Sequence, residues 1–191
     1  FLPIFSAGDD SGQNSSMVLS PSTAKNVLSV GASTTNPSGL TANFSANGPS
    51  LDSRVKPDLV APGVSICSGR GFEASTPMGF SCASGVHSNG VNMYMTLSGS
   101  SQATAVAGGS VSLIREFIRE DVGISSPSAA LLKAAAINGA TDIGTPDIPN
   151  SKEGWGQISV VNSVMPTYNG NTLSTFHDNS RTISAGFSTL Y

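Results

Sequence analysis

Residues Leu97-Ser98-Gly99-Ser100-Ser101-Gln102 lead straight into Ala103, Ala105, Val106, Ala107, Gly108, Gly109, Val111 and Ile114. The run is too small-residued for a surface helix and too apolar for a linker. It predicts a helix threaded through the middle of a domain, where only Ala and Gly let neighbouring backbones come close. Ser101 then stands in the first turn, where unpaired N–H groups and the positive end of the helix dipole favour negative charge. A serine so placed is suited to attack a carbonyl, because its own N–H can hold the resulting oxyanion. The same letters also suit an N-cap serine after a Gly/Ser turn.

At 191 residues, 38% of them apolar, the chain can bury a core as one domain. A net charge of -3 with no basic run gives nucleic acid no footing. No apolar stretch is long enough to span a bilayer. Low charge with abundant Ser, Gly, Asn and Thr suits a secreted, loop-rich protein. The opening Phe1-Leu2-Pro3-Ile4-Phe5 has no signal peptide and no initiator Met, and reads as the interior of a longer protein.

Around the serine, Gly99, Ser100, Ser101, Gln102, Ala103, Thr104 and Ala105 stand where the subtilisin-like serine peptidases (subtilases) carry Gly-Thr-Ser-Met-Ala-Thr-Pro. Further blocks follow that family's order. Thr23-Ala24-Lys25-Asn26, with Val30-Gly31-Ala32, is similar to its Thr-Ala-Lys-Asn strand. Asn43 to Pro49 and Lys56-Pro57-Asp58 to Pro62-Gly63 resemble its Phe-Ser-Ser-x-Gly-Pro and Lys-Pro-Asp-x-x-Ala-Pro-Gly blocks. Gly154-Trp155-Gly156 resembles the closing Gly-x-Gly turn. The resemblance spans about residues 4 to 163 and points within the family to the branch typified by the alkaline protease KP-43.

It implies an α/β fold with a mainly parallel sheet and flanking helices, followed by the start of a β-rich tail. Residues 1–164 would be the C-terminal half of a catalytic domain. Residues 165–191 would be a linker and the first strands of a β-sandwich, with strand-like pieces at Thr172 to Phe176, Thr182 to Ile183 and Phe187 to Leu190. The implied activity is endopeptidase cleavage through an acyl-enzyme, with Ser101 as nucleophile and Ser6, Ala7 and Gly8 lining the pocket for the substrate residue before the scissile bond. Where the family has an oxyanion-donating Asn, this chain has Asp9. An ionised carboxylate only accepts hydrogen bonds, whereas a protonated one can donate. The family's catalytic Asp and His come from residues before those present here, so the N-terminal half of the same domain is an implied partner, beside a polypeptide substrate. No cofactor is required; calcium is implied only by resemblance, and no site is assignable. Asp9, Gln102 and Ala105 also fit a rival reading, a non-catalytic subtilase-like domain with a binding or structural role.

The remaining expectations come from the residues themselves. Phe1 to Phe5 reads as a buried strand running into Ser6 to Gly12, and Thr23 to Ala32 as another. Asp58 reads as a turn or salt-bridge residue of the kind usually exposed. Ser126 is placed as the cap of a second helix with Pro127 in its first turn, its apolar face formed by Ala130, Leu131, Ala134 and Ile137. Cys67 and Cys82, near the ends of an irregular stretch, suit either a disulfide or two buried thiols. His87 and His177 lie outside any His-Gly-Thr-His setting and read as solvent-facing loop residues.

Overall fold

The computed structural model describes residues 1–9, 17–35, 39–72, 82–144, 146–168, 171–172, 175 and 177–179. Its centre is a parallel sheet of three strands in the order β1 (Ile4–Ser6), β2 (Leu28–Ser33) and β3 (Leu59–Pro62). Strand β1 starts later than the apolar run because Pro3 has no N–H for the ladder. Its carbonyl still accepts from Leu28 N–H at 2.9 Å, and the paired register then begins at Ile4 opposite Leu28.

All six residues of β2 are buried, yet its two faces differ. Leu28, Val30 and Ala32 join the apolar core, while Ser29, Gly31 and Ser33 face a layer of loops. There Ser29 meets the Ser22 hydroxyl at 2.6 Å, Ala32 N–H donates to Ser45 Oγ at 2.9 Å, and Ser33 Oγ donates to Gln157 Oε1 at 3.1 Å. Hydroxyls on that face supply the loops with the hydrogen bonds that a buried backbone requires.

The apolar face of the sheet carries α1 (Ser100–Glu120), which packs on all three strands. Ser100, Ala103, Ala107, Val111, Ile114 and Ile118 are its buried side, at the spacing of one helix face. The helix is not enclosed as its composition predicts. Ala105, Gly109, Ser112, Leu113 and Glu116 are exposed, because no described layer covers that side. Its first turn hangs from the end of β3, with Gly99 N–H donating to Gly63 O at 2.8 Å. A side chain on Gly63 would start 2.7 Å from Gly99 O and 2.8 Å from Ala32 Cβ, so glycine alone allows this approach.

Helix α2 (Ala129–Asn138) is capped by Ser128, whose side chain accepts from Leu131 N–H, and not by Ser126. Its buried residues are Leu131, Leu132, Ala135 and Ala136; Ala130 and Ala134 are exposed. The cap is settled locally, by the Ser128 hydroxyl reaching Leu131 N–H at 3.1 Å, and the buried face by a distant partner. The helix is apolar on almost every side, so its rotation is set by Lys133, which reaches beneath the sheet to the Val27 carbonyl at 2.8 Å and to Asp58 Oδ1 at 3.0 Å. Ala130, Ala134 and Ile137 instead line an open groove of about 1470 Å³.

Asp58 is a salt-bridge residue, but a buried one. Its Oδ2 accepts from Lys56 Nζ at 2.8 Å and from Ser29 N–H at 2.7 Å, and the Lys56 side chain is 2% exposed. Burial holds the Lys56 ammonium below the ordinary lysine value, while its bond to Asp58 pulls the other way.

Past β3, the antiparallel pair β4 (Ile66–Gly69) and β5 (Tyr94–Leu97) leads into α1. Cys67 of β4 is bonded to Cys82 with Cα atoms 5.8 Å apart, and both residues are exposed. Closing that loop, a separation of 15 residues, contributes about 3 kcal/mol on a chain-entropy account. A short α3 (Val160–Val164) precedes a small hairpin of β6 (Thr167–Tyr168) and β7 (Asn171–Thr172). The expected pieces at Thr182 to Ile183 and Phe187 to Leu190 lie outside the described residues, as do parts of Thr172 to Phe176. Among the described residues no helix is long and apolar enough to cross a membrane.

Candidate active site

The carboxyl ends of β1 and β3 meet the N-terminus of α1, and hydrogen bonds from both sides fix the junction. β1 continues past its last paired residue with Ala7 N–H donating to Val30 O at 2.8 Å. Gly8 N–H then donates to Ser100 Oγ at 3.3 Å, and Asp9 Oδ1 accepts from Ser100 N–H at 2.7 Å. From the other side, Ser65 N–H donates to Ser98 Oγ at 2.9 Å.

The N-cap of α1 is Gly99, which has no side chain to satisfy the first-turn donors. Asp9 takes that part for Ser100. The next N–H groups, of Ser101 and Gln102, take no partner among the described residues, and Ala103 N–H is the first to bond back, to Gly99 O at 3.2 Å. The two serines are thus sharply different. Ser100 is buried and tied to β1, whereas Ser101 is exposed with its hydroxyl unbonded among the described residues.

The structure therefore brings Asp9 to Ser100, the residue adjoining Ser101. Ser6 and Gly8 are half-buried beside them. Ala7 is 2% exposed and packs with Val18 and Ala46, so only its backbone is placed to line a pocket. The histidines are elsewhere and less exposed than expected. His87 Nε2 lies 3.1 Å from Arg70 O with its ring edge-on to Phe72, and His177 lines the groove along α2. Among the described residues no three His, Cys, Asp or Glu side chains gather as a metal cage requires.

Gln102 departs from the family pattern, and its side chain belongs to this junction. A side chain on Gly99 would begin 2.5 Å from Gln102 Oε1 and 3.0 Å from Asp9 Oδ2, so amide and carboxylate converge on one point above Gly99. Position 102 is the third helical residue, from which Gln commonly folds back to the cap. That spacing was legible; the convergence with Asp9 was not.

The sequence pattern of the subtilase family matches residues 1–156. The chain is 34% identical over 140 residues to "Serine protease/ABC transporter B family protein tagA" of Dictyostelium discoideum, covering 69% of this chain and 8% of that protein. It is 34% identical over 113 residues to "Serine protease AprX" of Bacillus subtilis (strain 168), covering 56% of this chain and 24% of AprX. In three dimensions it matches the prenylagaramide maturation protease PagA with a TM-score of 0.60 at 23% identity, over 85% of this chain and 49% of PagA. It thus spans half or less of each of these proteins. These matches carry the family and not the KP-43-like branch within it. With its parallel sheet, its α1 junction and a family pattern running through both, the chain belongs to the subtilase family of serine peptidases.

Proposed function

We propose that this chain is the nucleophile-bearing part of a serine endopeptidase site, with residues 1–164 as the C-terminal half of a catalytic domain and 165–191 as a linker and first strands of a further domain. The observation that carries the proposal is Ser101. It is exposed at the N-terminus of α1, and its hydroxyl and N–H have no partner among the described residues. Its Oγ attacks the substrate carbonyl carbon while a base takes the hydroxyl proton. The tetrahedral oxyanion is held by the Ser101 N–H at the positive end of α1. Collapse expels the amine with that proton and leaves an acyl-enzyme, which water hydrolyses. The base and its orienting carboxylate come from the N-terminal half of the same domain, and the backbone of Ser6, Ala7 and Gly8 lines the pocket before the scissile bond. A secreted location accompanies this reading. The test is a fluorophosphonate on the full-length protein: mass spectrometry should find the adduct on Ser101. Absence of any adduct there sinks the proposal.

Asp9 favours a rival, a non-catalytic domain, because its carboxylate is engaged as an acceptor for Ser100 N–H. A pH profile separates the two readings. Asn at this position keeps an oxygen for Ser100 and gains an NH₂, whereas a carboxyl donates only when protonated. Asp9→Asn should leave the acid rate similar and raise kcat at neutral and alkaline pH by about 10-fold or more. Coincident profiles, or a loss at every pH, would show that Asp9 is no proton-dependent donor.

A further inference from the structure

We infer that the Gln102 side-chain amide is the second oxyanion donor of this site, doing what the Asp9 carboxylate cannot do when ionised. The inference rests on Ser101 as the nucleophile. An oxyanion forming at Ser101 needs donors beside the Ser101 N–H, aimed at where charge develops. Three side chains crowd this end of α1. Ser100 is 1% exposed, so its hydroxyl, which accepts from Gly8 N–H at 3.3 Å, is shut away from a substrate. The Asp9 carboxylate is an acceptor, with Oδ1 on Ser100 N–H at 2.7 Å. Only Gln102 carries N–H groups, and its amide has no hydrogen-bond partner among the described residues.

The ordinary use of a Gln at the third helical position is to fold back and accept the N-cap N–H. That bond is not available here. Gly99 N–H is already donated to the Gly63 carbonyl at 2.8 Å, the contact that hangs α1 from β3. Gln102 nonetheless keeps the folded-back posture, with its Oε1 2.5 Å from the point where a Gly99 side chain would begin and Asp9 Oδ2 3.0 Å from the same point. Two acceptor oxygens drawn toward one point gain nothing from each other. Rotating the amide by half a turn presents Nε2 instead, and the two orientations fill the same space. Asp9, when ionised, accepts from Ser100 N–H; protonated, it adds a further donor, the case that the pH profile above tests. An N–H of Nε2 is left for the substrate oxyanion, next to the Ser101 N–H. Glycine at 99 keeps the space open, since a β-carbon there would collide with both groups.

The experiment measures kcat and KM on a peptide anilide in the full-length protein. Gln102→Met keeps the length of the side chain and removes the donor. It should lower kcat about 10²-fold with KM little changed, and leave the thermal midpoint where it was. Adding Asp9→Asn to Gln102→Met supplies an NH₂ from the other side of the junction and should recover most of that loss, which a structural role for Gln102 would not allow. Gln102→Glu should be slow at neutral pH and regain rate in acid, where a protonated carboxyl donates. An unchanged kcat in Gln102→Met, or a loss that Asp9→Asn fails to restore, overturns the assignment. Should Gln102→Met not fold, the pH profile of Gln102→Glu decides alone, and a flat profile relative to the parent overturns it. Ser101→Ala keeps the two levels apart. If it is inactive while the Gln102 variants match the parent, only the donor assignment falls. If it is as active as the parent, or the parent itself does not hydrolyse the anilide, the nucleophile reading falls and takes this inference with it.

Discussion

Ser101→Ala in the full-length protein is expected to lower kcat by about 10⁶-fold, because nucleophile, base and orienting carboxylate act as one unit. KM should change little, since the lost hydroxyl bonds in the transition state and the pocket residues are untouched. The neighbouring serine provides the contrast. Ser100 is buried, its hydroxyl accepts from Gly8 N–H, and its own N–H is held by Asp9. Ser100→Ala therefore loosens the junction of β1 with α1 without removing the attacking atom, and its loss should be smaller by orders of magnitude. Steady-state rates on a peptide anilide, with the phosphonate adduct as a count of competent sites, check both. Equal losses in the two variants would mean that the run acts as scaffold, and a fully active Ser101→Ala would remove the nucleophile assignment.

The second large effect concerns stability and lies at the opposite end of the strands. Asp58→Asn should cost about 3 kcal/mol or more, because it leaves the buried Lys56 ammonium and the half-buried Lys133 without their shared carboxylate. Asparagine retains an oxygen for the Ser29 N–H, so the change isolates the charge. For a chain of this size the thermal midpoint should fall by about 6 °C or more. Burial already depresses the Lys56 ammonium, and losing its carboxylate depresses it further. With the folded value below the unfolded one, the unfolded chain binds more protons in the interval between them, so stability rises with pH there. The deficit should therefore narrow as pH climbs toward the ordinary lysine pKa of about 10.4. Denaturant melts at neutral and alkaline pH measure this; a neutral-pH loss within the range of a surface substitution would show that the pair is not the anchor of α2.

Which of these features the sequence disclosed depends on how far apart the interacting residues lie. The start of α1 was legible because Gly99, Ser100 and the small residues after it are consecutive, and helix-end donors follow from helix geometry alone. The meeting of Asp9 with that helix was legible only through the order of several blocks, since nothing local to Asp9 points to residue 100. The burial of Asp58 was not legible. Lys-Pro-Asp reads as an exposed turn until Lys133 arrives from α2 and Ser29 from β2 to share the carboxylate. The rotation of α2 failed for the same reason: Ala129 to Ile137 is apolar on so many sides that only its one charge, through a distant partner, selects the buried face.

The open side of α1 bears on what else this helix must accommodate. Gly108 and Gly109 follow one another mid-helix, and a side chain at either would meet nothing within 4 Å. Each glycine costs a helix about 1 kcal/mol relative to alanine. For the described residues alone, two alanines would fit and hold the helix better. A helix kept narrow where its described neighbours have no use for the space leaves room for a backbone closer than a methyl group permits. The proposed N-terminal half would supply such a backbone, and the waist at Gly108 and Gly109 would then be a seam between the two halves of one domain.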